Sequence, residues 1–341
     1  MAAVAVLIVG YRNADDIAEC LQALAELRTP PSFEIFIAEN GGAAGMEALI
    51  TTLDASASTL RRNHTIPVAR AIGAVRYCDY QLISLDGKLG PLVHIAELSD
   101  NVGYAGGINA WLRRLRAAPE WEAVWILNPD TSPDPTALAE LAAYAKASGK
   151  GMVGSCIIRT GEVDKVSTRG LRWDFLRGRP EAIDRDVDLA LEPDATQIEA
   201  HLTAPSGASF YVTRKLIDAI GLMDERYFLY VEDLEWGERA KRLGLLGYAH
   251  RSRVTHKGGT TIGSARARAR RSKLSVYLGT RNIVLFIKNK HPLWLPWTVV
   301  MQAMYSLAFG AVGAFANMAE SLKGIGAGLR GEIGRPERFF N

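Results

Sequence analysis

Val4-Ala5-Val6-Leu7-Ile8-Val9-Gly10-Tyr11-Arg12-Asn13 is the stretch that decides how the rest of the chain is read. An unbroken aliphatic run stops at a glycine, and Ile17, Cys20, Leu21, Leu24 and Leu27 then recur at helical spacing, so a buried strand feeds a loop and an amphipathic helix. The pattern repeats along the chain. Phe33 to Ala38 is a second buried strand, ending in Glu39-Asn40-Gly41-Gly42, and Leu92 to Ala96 is a third, followed by Asn101-Val102-Gly103-Tyr104-Ala105-Gly106-Gly107 and a helix from about Ile108. Ala123 to Leu127 is a fourth, ending in Asn128-Pro129-Asp130. Fully apolar strands alternating with amphipathic helices predict an α/β fold: a mostly parallel central sheet flanked by helices, with ligands at the strands' carboxyl ends.

Outside that frame the pattern weakens. Residues 41–90 hold a helix near Met46 to Leu53 and then irregular chain with Arg and His, which reads as an insertion. Residues 159–201 are polar and rich in Arg, Asp and Gly, as a surface excursion or lid would be. The division expected is a catalytic domain over 1–262 and a basic, helical region over 263–341. With 341 residues, 48% of them hydrophobic, the chain can bury a full core. Forty basic against 37 acidic residues leave a net charge of +3, which argues against a general nucleic-acid binder. Cys20, Cys78 and Cys156 are odd in number and far apart, so neither a disulfide framework nor a thiolate metal site is expected, and a reducing cytoplasm fits. The apolar start, Met1 to Val9, lacks a basic beginning and a cleavage site and reads as a core strand, not a signal peptide.

Three places carry candidate chemistry. Asp130, at the end of a buried strand, is placed where one carboxylate holds a Mg or Mn ion against phosphate oxygens; the plainer alternative is that Asn128 to Pro135 only caps the helix beginning near Thr136, with Asp134 the more natural cap. Glu232-Asp233 opens a helix carrying Leu234, Ala240 and Leu243. There the helix dipole favours ionised carboxylates, and an ordinary Asp of pKa about 4 is already a base at neutral pH. Asp233 is the first choice as general base and Glu232 the second, against ordinary capping of a first turn. His256, after a short strand and before Gly258-Gly259, is a possible further cation ligand or simply a hydrogen-bonded loop histidine.

Taken together, four blocks resemble the family 2 glycosyltransferases of the GT-A fold, Rossmann-like in architecture, and within them the rhamnosyltransferase-like branch. They are Val9-Gly10-Tyr11-Arg12-Asn13, Asn101 to Asn109, Leu127-Asn128-Pro129-Asp130, and Ser206-Gly207-Ala208 through Met223 to Asp233 and on to Arg239. Order and spacing match over roughly residues 4–260, and jointly the blocks are far more specific than any one of them. The resemblance implies an inverting, cation-dependent transfer of a sugar from a nucleotide-diphosphate donor. Val9, Tyr11, Asn13, Glu39 and Asn40 would lie by base and ribose, and Asn101, Gly103, Gly107, Asn109 and Asn128 would wrap the nucleotide. Asp130 and His256 would hold Mn or Mg, and Asp233 would be the base, with Glu232 beside it. Gly207, Ala208, Arg239 and Arg281 would face the acceptor or a phosphate. Best-matching donor is dTDP-rhamnose, with a UDP-hexose or galactofuranose donor as the alternative; the acceptor is a growing polysaccharide or a polyprenyl-diphosphate-linked saccharide of cell-envelope or exopolysaccharide synthesis. The sequence departs from the family pattern at Glu39, where Asp is usual, in its Arg12-Asn13 turn, and in the length between Asn40 and Asn101.

From Pro292 to Met318 no residue is charged, a length that could span a bilayer. Basic residues flank both sides, and Gln302, Ser306, Gly310, Gly313 and Asn317 form a polar stripe, so peripheral insertion or packing on protein is expected in place of a span. Arg266, Arg268, Arg270, Arg271 and Lys273 suit anionic lipid or a diphosphate acceptor, or form a solvated loop. A site on the cytoplasmic face of the inner membrane follows, with oligomerisation left open. Two other classes compete. A dinucleotide oxidoreductase lacks its G-x-G-x-x-G after the first strand, and a non-catalytic membrane scaffold would have no need of Asp130, Asp233 and His256.

Overall fold

The structure is a computed structural model that describes residues 3–56, 59–63, 71, 73–84, 87–118, 121–258 and 270–340, without the side chains of 162 and 163. In chain order the first half runs β1 (Val4–Gly10), α1 (Ala14–Ala25), β2 (Phe33–Glu39), α2 (Gly42–Ala55), β3 (Leu60–Asn63), β4 (Ala74–Ile83), β5 (Leu89–Leu98), α3 (Gly103–Arg116), β6 (Ala123–Leu127), β7 (Thr131–Pro133) and α4 (Ala137–Ser148). The second runs β8 (Met152–Arg159), β9 (Glu162–Thr168), β10 (Leu171–Asp174), β11 (Arg179–Ala182), α5 (Ala195–His201), β12 (Ser209–Thr213), α6 (Arg214–Ile220), α7 (Glu232–Arg242) and β13 (Leu246–His256). Three C-terminal helices follow: α8 (Lys273–Lys290), α9 (Leu295–Gly310) and α10 (Phe315–Arg330).

The central sheet has the order β3-β4-β5-β2-β1-β6-β12-β8-β13-β7, with β9 on β8. β5, β2, β1 and β6 are parallel neighbours, as are β8 and β13, while β12 runs antiparallel between β6 and β8. The expected mostly parallel α/β sheet is therefore present. Its cause is visible in β1, which is buried along its whole length. Val4, Val6 and Ile8 pack with Ile17, Leu21 and Leu24 of α1 and Leu49 and Leu53 of α2, whereas Ala5, Leu7 and Val9 pack with Ile108, Trp111 and Leu112 of α3. A strand with helices on both faces needs no polar side, and each fully buried Leu or Ile is worth roughly 1.5–3 kcal/mol over its exposed state.

Residues 41–90 contain more order than their irregular pattern predicts: β3 and β4 extend the sheet as antiparallel strands beyond β5. Cys78, Tyr80 and Leu82 point into the core at the period of a strand, but Arg76 before them and Asp79 and Gln81 between them mask the signal. Residues 159–201 supply β9, the β10–β11 hairpin and α5. The uncharged C-terminal stretch breaks at Gly310–Gly313 into α9 and the start of α10, and among the described residues no helix is long and apolar enough to cross a membrane. Arg266, Arg268, Gly259 and the boundary at 262–263 lie outside the described residues. All three cysteines are free and buried.

Candidate active site

The carboxyl ends of β1 and β6, the turn before β12 and the start of α7 surround a cleft of about 510 Å³. That volume is in the range of sites that enclose a small-molecule ligand. One wall is made by the strand ends. Asp130 follows β6, and β7 pairs with β13 in a register that sets His256 opposite Thr131. The pairing brings His256 Nε2 to 3.1 Å from Asp130 Oδ1, and the Lys257 amide donates to the Asp130 carbonyl at 3.0 Å. Burial alone would raise the Asp130 carboxyl, but the hydrogen bond and charge of His256 and a backbone N–H from Gly258 outweigh it, so the pKa falls below the usual carboxylate range. Asp130 is thus no helix cap. Nor is Asp134, since α4 opens at Thr136 with no side-chain cap.

A second wall is the start of α7. Phe228, Tyr230 and Val231 have φ of 64°, 70° and 77°, a left-handed conformation that is unfavourable for any side chain and most of all for β-branched Val231. Such residues cost of order 1–3 kcal/mol each and persist only where surroundings enforce them. Here the enforcement comes from α8. Asn282 Nδ2 donates to the carbonyls of Tyr227, Leu229 and Tyr230 at 2.9, 2.8 and 2.9 Å, and Arg281 reaches Tyr227 and Gly334 carbonyls at 3.1 and 2.8 Å. Both side chains are fully buried. Arg281 therefore faces loop carbonyls and not the acceptor or phosphate that the resemblance implies. Arg239 is likewise occupied, donating to the Ile220 and Leu222 carbonyls and pairing with Glu235.

The strained loop delivers Glu232 and Asp233 to the cleft. Gly207 is what lets Asp233 sit there: a Cβ at 207 would lie 2.6 Å from Asp233 Oδ2. The expectation that the helix dipole keeps this pair at ordinary acidity is corrected by the structure. Burial raises the Asp233 pKa despite N–H groups of Leu234 and Gly207, and burial together with the Asp233 charge raises Glu232 well above the carboxylate range. Glu232 Oε2 is buried with no hydrogen-bond partner among the described residues.

Of the residues singled out by sequence, Val9, Tyr11, Asn13, Asn128, Asp130, Gly207, Ala208, Glu232, Asp233 and His256 line this cleft. The others brace it. Glu39 Oε1 accepts from the Arg12 and Gly41 amides at 3.1 and 2.7 Å, tying the β1 and β2 turns together, and burial raises its pKa. Asn40 Nδ2 donates to the Gly103 carbonyl at 2.9 Å. The glycine-rich block does not form a wrapping loop; Gly103 to Gly107 are the first turns of α3, with Asn101 Oδ1 accepting from the Gly103 amide. Gly103 has a φ of 77°, and a Cβ there would lie 2.2 Å from the Phe228 carbonyl, while one at Gly107 would press on Val9. Asn109 is buried, bonding the Met223 backbone and Glu225. Sequence reasoning passed over Tyr104, whose hydroxyl donates to the Gly207 carbonyl at 3.2 Å inside the cleft, and Tyr230, whose hydroxyl lies 3.1 Å from Ser275 Oγ. Tyr104 stood within the glycine block and was legible there as its one large side chain.

Among the described residues no cluster of three or more His, Cys, Asp or Glu side chains is arranged to hold a metal ion. Asp130 and His256 still present one carboxylate and one imidazole to the same point, and a Mg- or Mn-type ion commonly takes one or two protein ligands and completes its shell with substrate phosphates.

The sheet order, with the cleft at the strand ends, fits the GT-A fold that the sequence resemblance implies, and known glycosyltransferases share it. No protein-family model matches the chain. It is 25% identical over 230 residues to the N-acetylglucosaminyl-diphospho-decaprenol L-rhamnosyltransferase of Mycobacterium tuberculosis, covering 61% of this chain and 72% of that protein. Its fold matches S. aureus TarS 1-349 with a TM-score of 0.53 at 13% identity, over 98% of this chain and 81% of the other. It also matches mannosyltransferase PcManGT from Pyrobaculum calidifontis, solved with GDP-Man and Mn2+, with a TM-score of 0.51 at 14% identity, over 96% and 87% of the two chains. The resemblance to family 2 glycosyltransferases, rhamnosyltransferase-like, is thereby upheld.

Proposed function

We propose that this protein is an inverting, divalent-cation-dependent glycosyltransferase that moves a hexose, L-rhamnose from dTDP-rhamnose in the first instance, onto a polyprenyl-diphosphate-linked saccharide in envelope or exopolysaccharide synthesis. The observation that supports this reading is that one cleft gathers the Asp130–His256 pair and Asp233. The M. tuberculosis relative, named for a lipid-diphosphate acceptor and an L-rhamnosyl product, supports this donor and acceptor.

In this reading the nucleotide enters over Val9, Tyr11 and Asn13, with its diphosphate against Asp130 and His256. Asp130 and His256 would hold a divalent cation there, which would supply charge neutralisation for the departing diphosphate. Asp233 holds the acceptor hydroxyl on the opposite face and takes its proton as the oxygen bonds to the anomeric carbon; one displacement inverts that carbon. Burial and the neighbouring Asp233 charge favour the protonated form of Glu232, which supports Asp233 as the single base.

The test is nucleoside diphosphate release from dTDP-, UDP- and GDP-sugars with a lipid-diphosphate acceptor, in Mn, Mg or chelator, for the wild type and Asp233→Asn. Cation-dependent release from one donor, lost in the variant, is expected. Equal release in chelator removes the cation from the scheme, and release from a UDP-hexose alone transfers the assignment to that donor.

A further inference from the structure

Helix α9 is inside out. It buries Thr298, Gln302 and Ser306, with Phe309 as the one apolar side chain among them; Gln302 Nε2 donates to the Gly178 carbonyl at 2.8 Å and Ser306 Oγ to Ser321 Oγ at 2.7 Å. To the outside it turns Trp297, Val300, Met304 and Leu307, at the 3- and 4-residue steps of one helical stripe that Leu293, just before the helix, continues, and the first residue of α10 adds Phe315. Leu293 is 94% exposed, Leu307 62% and Phe315 65%. A water-facing helix buries its apolar stripe and exposes its polar one; the reverse is the arrangement for a helix whose outer medium is apolar. From Pro292 to Met318 the chain carries no charge to interrupt that face.

We infer that this face of α9 and the α9–α10 turn docks on an anionic bilayer, lying in its interface and not crossing it. Sixteen helical residues span about 24 Å at 1.5 Å each, short of a hydrocarbon core of about 30 Å. Trp294 and Trp297 sit at one end, where indoles favour the headgroup boundary. Cations border the stripe. Arg179 stacks over Tyr305, 4.7 Å from its ring centre, and exposed Arg270 and Lys273 adjoin the start of α10, where Asn317 Nδ2 donates to the Arg271 carbonyl at 2.9 Å. Basic borders around an apolar stripe complement anionic headgroups, whereas a second copy of this chain would set like charge against like.

Docking would also orient the cleft. The segment joining β10 to β11 is fastened to α9 by Trp297 Nε1 to the Leu176 carbonyl and Tyr305 Oη to the Arg177 carbonyl, at 2.8 and 3.1 Å. The same hairpin lends Leu171 and Pro180 to the cleft, and α8, packed on α10, lends Ser275, Gly279 and Ile283. A membrane-resident acceptor would meet the cleft at its mouth; this consequence rests on the acceptor proposed above, while membrane binding does not.

The full chain is sedimented with vesicles of phosphatidylcholine containing phosphatidylglycerol and with vesicles of phosphatidylcholine alone. Wild-type protein is expected in the pellet with the anionic vesicles, with at least a tenfold smaller bound fraction for Met304→Gln/Leu307→Gln and an intermediate one for Met304→Gln alone. These side chains are exposed, so both variants should keep wild-type helical content and wild-type cation-dependent nucleotide binding. Protein that stays in the supernatant with both vesicles, or variants that bind as well as the wild type, overturns the inference. So does a wild-type dimer in solution that the same variants dissociate, which assigns the face to self-association. Because vesicle binding is read without turnover, its failure leaves the transferase reading intact, and absence of turnover leaves the docking result intact.

Discussion

The two walls of the cleft hold carboxylates in opposite electrostatic states. On the strand-end wall, His256 and a backbone N–H lower the pKa of Asp130 in spite of its burial. On the wall formed by α7, burial raises Asp233 and raises Glu232 further because Asp233 stands beside it. Environments that push titratable groups apart divide their labour: the group that stays ionised suits a cation, and the one with raised affinity for a proton suits proton transfer. The walls also differ in construction. The first consists of regular strands in register, whereas the second is a strained loop clasped by side chains from α8.

The sharpest way to break the comparison is to neutralise the second wall. Asp233→Asn is isosteric, and turnover is expected to fall by roughly 10²–10⁴-fold while donor affinity measured by calorimetry stays within a few-fold. Turnover that survives moves the base elsewhere. The wild-type pH profile sharpens the same point. A base with raised pKa is protonated as pH falls through that raised value, so the acid limb of kcat/KM should lie above the usual Asp value of about 3.9, and activity should be lost on its acidic side. On the first wall, Asp130→Asn should cost about 10²–10³-fold, the scale for removing one electrostatic stabiliser, together with a weaker response to added Mn.

The clasp gives a third, smaller effect. Asn282→Ala removes the side-chain donor to the Leu229 and Tyr230 carbonyls and one of the two donors to the Tyr227 carbonyl, and Arg281→Lys keeps the charge but loses the planar fork. Both variants should lower kcat by about 10- to 100-fold with donor KM little changed, because they relax the loop that aims Asp233 and leave the nucleotide side alone. If donor KM rises in step with the fall in kcat, the effect is general loosening of the fold and not positioning of the base.

How much of this was readable in the sequence follows the same division. Strands β1, β2 and β6 were legible because burial on both faces leaves unbroken aliphatic runs; Asp130 stood out as a candidate because it follows such a run, Asp233 because it opens a helix, and His256 because it ends a short strand before glycine. β4 was not legible, since Arg76 opens it and Asp79 and Gln81 interrupt its core residues. The glycine block was read as a loop because glycine propensity argues against helix; tertiary packing overrides it, as α3 must approach Phe228 and Val9 more closely than a side chain allows. The roles of Arg281 and Asn282 were invisible, because nothing local marks a side chain whose partners are carbonyls more than fifty residues away. The raised pKa values of Glu232 and Asp233 also depend on burial, which a first-turn acidic pair does not disclose.

His256 is where the smallest effect is expected and where the two possible roles of that residue separate. His256→Gln removes the imidazole 3.1 Å from Asp130, leaving burial to raise the carboxyl's pKa. In the wild type, the lowered pKa contributes folding stability that is present above the unfolded value of about 3.9 and is lost as pH falls through the folded one. The variant should lack that contribution, so its Tm should fall less than that of the wild type as pH is lowered from about 5 through about 3.9 and below. Cation affinity, titrated in the presence of nucleoside diphosphate, should weaken by about 10-fold for Mn and by less for Mg, because imidazole is a better ligand for Mn than for the harder Mg. Equal weakening for both ions would mean that His256 acts by keeping Asp130 ionised and in place, and that the carboxylate alone meets the cation.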